Sequence, residues 1–128
     1  MKGGGVHKLC RNAPDARHQD VMDRLWDSLD AHFRQQKPVP ARTARLTAGG
    51  SHKMAKKLVE EAGEAALAAA ANDRSELIAE SADLLYHLAV LWASLGVHPD
   101  EIWVEMSERE AAYGLAEKRA KTPLNGKR

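Results

Sequence analysis

The 128-residue sequence predicts an all-α fold, a bundle of four to five helices. Three observations carry that expectation. Apolar residues recur at three- and four-residue steps along most of the chain, the period of a helix with a buried face. The apolar fraction is 44% but only 5% is aromatic, and much of the remainder is alanine and leucine, which favours helix packing over a β-sandwich. The periodic stretches are punctuated by Lys37-Pro38-Val39-Pro40, by Gly49-Gly50 and by Gly96, none of which suits a helix interior.

Residues 1–16, rich in glycine and polar groups, read as a flexible extension. From there to Gln36, the spacing of Val21, Leu25, Trp26, Leu29 and Phe33 predicts a first amphipathic helix, ended by the two prolines. A short stretch with Thr43, Leu46 and Thr47 follows. Ser51 is then the expected N-cap of a second helix, His52 to about Ala71. Asn72-Asp73 breaks it, and a third helix runs from about Arg74 to Leu95. Its apolar residues Leu77, Ile78, Leu84, Leu85, Leu88, Val90, Leu91, Trp92 and Leu95 cover more than one face, so it should be buried all round. One short chain cannot easily enclose such a helix, and a homodimer, or a dimer of dimers, is expected. His98-Pro99-Asp100-Glu101 opens a fourth helix bearing Ile102, Trp103 and Met106, which is expected to extend to Tyr113 or beyond. Residues 17–116 form the expected domain, and 117–128 a basic, fraying tail with solvated Lys118, Arg119 and Lys121.

Composition excludes several function classes. Nineteen basic and 18 acidic side chains give a net charge of +1, without the basic excess of a general nucleic-acid binder. The single cysteine, Cys10, offers neither a disulfide framework nor a zinc spacing. No signal peptide or membrane-spanning run is apparent, so a soluble cytoplasmic protein is expected. The three tryptophans sit at helical spacing and read as core or dimer packing.

The chemistry lies in two groups of acids. The second helix carries Glu60, Glu61 and Glu64, and the third carries Glu80 and Asp83. Glu61/Glu64 and Glu80/Asp83 are three apart, so each pair shares a face with β-carbons about 5–6 Å apart. If the helices fold back around Asn72, residues at one level have numbers totalling about 144. Glu64 then meets Glu80, Glu61 meets Asp83, and Lys57 meets His87. Four facing carboxylates repel unless some stay protonated or a cation joins them. Magnesium, with manganese as a substitute, suits an all-oxygen site. Metal held there would bridge phosphate oxygens and activate a water for in-line attack. Glu60, Glu61 and Lys57 are the candidate catalytic groups, Glu60 as ligand or general base. Lys53, Lys56, Lys57, Arg45 and His87 are candidate contacts for a nucleotide substrate. The competing reading is a solvated acidic face on the second helix, with Lys56–Glu60 and Lys57–Glu61 spaced for ion pairs in the less favourable orientation. His87 also fits a hydrogen-bonded core histidine.

The segments Lys53–Glu64, "KMAKKLVEEAGE", and Glu80–His87, "ESADLLYH", resemble the phosphoribosyl-ATP pyrophosphohydrolases of histidine biosynthesis. They also fit the EExxE…ExxD pattern of the wider MazG-like, all-α nucleotide pyrophosphatases. "GVHPDEIW" strengthens the likeness, which runs from about Val21 to Arg109. Thr43 and Leu46 fit a Ser-Tyr-Thr-x-x-Leu stretch in which Ala41 and Arg42 replace the serine and tyrosine. The resemblance implies a magnesium-dependent, MazG-like homodimer that cleaves phosphoribosyl-ATP between its α and β phosphates. Glu60, Glu61, Glu64, Glu80 and Asp83 match its acidic metal-binding motif, and Lys57 its basic position. Two other readings are a house-cleaning pyrophosphatase acting on (deoxy)nucleoside triphosphates, and a non-catalytic helical dimerisation or regulatory module. A ferritin-like di-iron site would need a Glu-x-x-His pair on each of two helices, and His87 is four residues from Asp83.

Overall fold

The structure, a computed structural model, describes residues 14–121, with side chains described from Val21 onward. Cys10, most of the expected amino-terminal extension and the tail beyond Lys121 lie outside the described residues. All secondary structure among the described residues is helical: α1 (Pro14–Gln35), α2 (Ala41–Ala48), α3 (Gly50–Ala70), α4 (Arg74–Ser94) and α5 (Pro99–Tyr113). None of these helices is long and apolar enough to cross a membrane. The residues fall into two compact units, the chain passing from one to the other between Val97 and His98.

In the first unit the core is made by Leu29 of α1, Leu46 of α2, Met54 of α3, and Ala89, Val90 and Ala93 of α4. Ala89 and Ala93 are fully buried and four residues apart, so α4 presents a strip of methyl groups on one face. Leu25, Trp26 and Phe33 of α1 close over this core, as their spacing predicts, while Met22 packs there and Val21, expected on that face, is exposed. Polar groups fasten the frame. Trp26 Nε1 donates to the Val97 carbonyl at 2.8 Å, and Arg34 donates to the Ala93 carbonyl near the end of α4. His32 donates through Nδ1 to the Lys37 carbonyl (2.9 Å), and its Nε2 meets the Thr47 hydroxyl at 2.9 Å.

The stretch after the prolines, given no conformation from sequence, is a helix, α2, the fifth of the four to five expected. Pro40 holds φ −56° and ψ 155°, an extended conformation from which a helix can begin at the next residue. Ser51 is not the cap of α3. Gly49 is, without any side-chain cap bond, and Gly50 takes φ +87°, which glycine adopts at little cost. The chain therefore re-enters helix at once, and Ser51 lies inside the first turn. The α3–α4 break matches expectation. Asn72 adopts the left-handed conformation (φ 57°), and the Asp73 carboxylate caps α4 by accepting from the Glu76 N–H at 3.1 Å. Three residues separate the helices, which makes them an antiparallel hairpin packed along its length.

Among the described residues, α4 is not buried all round. Ile78 is 59% exposed, Leu85 48% and Leu95 82%, and Val59 and Leu67 of α3 are exposed as well.

In the second unit, α5 begins with a capping box. The His98 Nδ1 accepts from the Asp100 N–H (3.0 Å), while the Glu101 carboxylate accepts from the His98 N–H (3.1 Å). The helix stops at Tyr113, where Gly114 takes φ 91°. Arg119, expected to be solvated, instead pairs with Glu105, which also binds Arg109 at 2.9 Å. These two guanidiniums hold the Glu105 carboxyl down at about 2.

Leu29 is 1% exposed at the centre of the α1–α4 contact. Leu29→Ala should lower unfolding free energy by about 2–5 kcal/mol, read from urea denaturation followed by circular dichroism.

Candidate active site

The α3–α4 hairpin brings acids from its two strands of sequence to one place. Carboxylate oxygens of Glu61, Glu64 and Glu80 all lie within 4.8 Å of one another. Glu80 thus sits between the levels of Glu61 and Glu64, a fraction of a turn from the simple hairpin register. It is 8% exposed, and its Oε1 has no hydrogen-bond partner. The adjoining Glu61 carboxyl, then burial, then Glu76 and Glu64, push its pKa up to about 8. A buried acid so placed either keeps its proton or acquires a cation.

The donor set fits a hard divalent ion. Oxygens on opposite sides of one magnesium are at most about 4.2 Å apart, at metal–oxygen distances of about 2.0–2.1 Å. The three carboxylates, within 4.8 Å of one another, would have to draw closer together to hold a single ion. The unpartnered Glu80 oxygen is the group that such an ion would satisfy.

Glu61 also lines a cleft of about 810 Å³, a volume within the roughly 300–1,000 Å³ typical of small-molecule sites. Its other walls come from Arg42 and Arg45 of α2, Lys53 and Lys57 of α3, and Asp83, Tyr86 and His87 of α4. Acid and base therefore share one depression, an arrangement that can hold a phosphate chain together with its metal.

The remaining sequence-derived residues take distinct places. Asp83 lies on the cleft wall one turn from Glu80, outside the close group of three. Glu60 is turned to Lys57 (3.1 Å), which lowers the carboxyl's pKa and raises that of the ammonium. That shift makes Glu60 a weaker base. Lys56 is exposed and is not among the residues lining the cleft. Lys53 lies over Gly49, where a β-carbon would come within 2.3 Å of its Cδ, and its Nζ is 3.5 Å from the Arg45 carbonyl. His87 is buried and donates through Nδ1 to the Asp83 carbonyl at 2.9 Å, which fixes its ring.

Sequence reasoning missed Tyr86 and Arg42. Tyr86 shares a hydrogen bond of 2.6 Å with the buried Thr43 hydroxyl and packs edge-on against His87. Its position three residues after Asp83 was the available signal, since it places both on one helix face.

Comparison with known proteins agrees with this geometry. The profile of the phosphoribosyl-ATP pyrophosphohydrolase family matches residues 25–110. The chain belongs to this family. It is 52% identical over 105 residues to phosphoribosyl-ATP pyrophosphatase 2 of Rhodopseudomonas palustris, covering 82% of this chain and 79% of that protein. It is 43% identical over 107 residues to the phosphoribosyl-ATP pyrophosphatase of Gluconobacter oxydans, covering 84% and 80%. With the Azospirillum brasilense phosphoribosyl-ATP pyrophosphatase it shares 40% identity over 109 residues, covering 85% of this chain and 97% of the relative. The family match includes all five acids and every residue that lines the cleft.

Glu80 makes a pH prediction for the metal-free protein. Its pKa is about 8 in the fold against an ordinary 4.5, so between those values the folded state keeps a proton that the unfolded chain has released. Stability should fall as pH rises from about 4.5 to about 8. Thermal unfolding midpoints in chelator should show this decline, and Glu80→Gln should flatten it.

Proposed function

We propose that this protein hydrolyses phosphoribosyl-ATP between its α and β phosphates, with magnesium, giving phosphoribosyl-AMP and pyrophosphate in histidine biosynthesis. The observation that carries the reading is the convergence of Glu61, Glu64 and the buried, unpartnered Glu80 beside a cation-lined cleft, in a chain of this family. Glu61, Glu64 and Glu80 hold the metal, and Asp83 adds a carboxylate from the cleft wall. Glu60, kept ionised by Lys57, adds negative charge beside them. Lys53 and Lys57 meet phosphate charge, and His87 presents a fixed imidazole to the cleft. Bound magnesium, or manganese in its place, supplies charge neutralisation at the phosphate oxygens and an acidified water for in-line attack. The cleft residues would orient the anhydride beside the acidic group. The phosphorylated, water-soluble substrate suits a cytoplasmic enzyme.

The working form is a homodimer in this reading. Ile78 and Leu85 on α4 and Leu95 at its end leave an apolar surface that the described residues do not cover, and such surfaces mark association sites. Leu85→Glu should convert the dimer to monomer in size-exclusion chromatography with light scattering. An unchanged mass would show that α4 is not the contact.

Purified protein with magnesium should release pyrophosphate from phosphoribosyl-ATP, and chelator should stop it. Loss of a group that merely supports a metal ligand costs 10–100-fold, so Glu61→Gln should lower kcat/KM by at least about 100-fold. Pyrophosphate release from dCTP or dUTP, but none from phosphoribosyl-ATP, would overturn the substrate assignment.

A further inference from the structure

We infer that Arg42 and Arg45 form the subsite for the second phosphate of the substrate, the monophosphate on the ribose attached to the adenine ring, and so set the preference over ordinary nucleoside triphosphates. The inference rests on the substrate reading above and adds to it a recognition element outside the acidic group.

Phosphoribosyl-ATP is anionic at both ends. Its triphosphate is served by the carboxylates and the metal they hold. Its other end carries a phosphate that ATP lacks, and that phosphate needs cations of its own. The α3 lysines are not the best placed to supply them. Lys57 is engaged by Glu60 at 3.1 Å, and the Lys53 ammonium is drawn back to the Arg45 carbonyl. Arg42 and Arg45 line the same cleft, and among the described residues neither guanidinium has a hydrogen-bond or ion-pair partner. They are three residues apart on α2, so their β-carbons lie about 5–6 Å from each other on one helix face. Two guanidiniums so spaced can both bind one phosphate, each through a planar fork of N–H donors.

Local structure fixes this wall before any ligand arrives. Thr43 and Leu46, each one position further along than an arginine, are buried at 8% and 6% exposure. Leu46 joins the core, and Thr43 is bonded to Tyr86, itself a cleft residue, at 2.6 Å. The buried face thereby sets the rotation of α2, and the arginine face follows from it. The helix backbone is thus preset, and ordering on binding is confined to the two arginine side chains.

Initial rates of pyrophosphate release, measured with magnesium for phosphoribosyl-ATP and for ATP, test the assignment. The variants are Arg42→Gln/Arg45→Gln and the charge-preserving Arg42→Lys/Arg45→Lys, checked for native melting by circular dichroism. The glutamine pair should raise KM for phosphoribosyl-ATP by roughly 10- to 100-fold. The ratio of kcat/KM for phosphoribosyl-ATP over ATP should fall by a similar factor, and the lysine pair should recover part of it. Ribose 5-phosphate should inhibit the wild type competitively and the glutamine pair much less. A wild-type enzyme that cleaves phosphoribosyl-ATP, with KM and selectivity unchanged in the glutamine pair, overturns the arginine subsite and leaves the proposed function standing. A loss confined to kcat also overturns it. A wild type that fails to cleave phosphoribosyl-ATP overturns both.

Discussion

Mutual repulsion among carboxylates is the constraint on which the rest of the structure depends. Glu61, Glu64 and Glu80 are held together by an α3–α4 hairpin whose packing comes from elsewhere, chiefly from Met54 on α3 and the methyl strip of Ala89 and Ala93 on α4. The acids contribute nothing to that packing and oppose it. Their closeness is bearable because Glu80 can keep a proton, and with a divalent ion the same closeness becomes an attractive site. Stability and chemistry thus draw on different side chains of the same two helices. The apolar part holds the hairpin closed, and the acidic part uses that closure.

Much of this was legible in sequence because helices impose a simple geometry on spacing. The EExxE and ExxD patterns lie on single faces whatever else the chain does, and the Asn72-Asp73 break sets their levels to within a turn. The register came out slightly different, with Glu80 between Glu61 and Glu64, since the left-handed Asn72 and the Asp73 cap take up residues that a symmetric fold-back would count as helix. Ser51 was misleading for a related reason. A serine before a periodic stretch is a good cap by residue type, but a left-handed Gly50 resumes the helix sooner. Short α2 escaped notice because eight residues hold too few apolar positions to display a period.

The cleft was less legible than the metal site. It is built across α2, α3 and α4, and its walls depend on contacts such as Thr43 with Tyr86 that join residues 43 positions apart. No local pattern encodes that contact. The family relationship fills this gap in part, because the matched region covers all three helices. It does not say which side chains line the cleft, and there the structure adds information that similarity alone lacks.

The anchoring of α2 has an evolutionary corollary. This helix is tied down by the buried Thr43 and Leu46 and by the Thr47–His32 contact, while the side chains of Arg42 and Arg45 are exposed. If the arginine subsite holds, substrate choice can drift by exchanging residues on one short segment, leaving the acid-bearing hairpin untouched. Relatives with identical catalytic acids and divergent α2 surfaces would then be places to look for altered nucleotide preference.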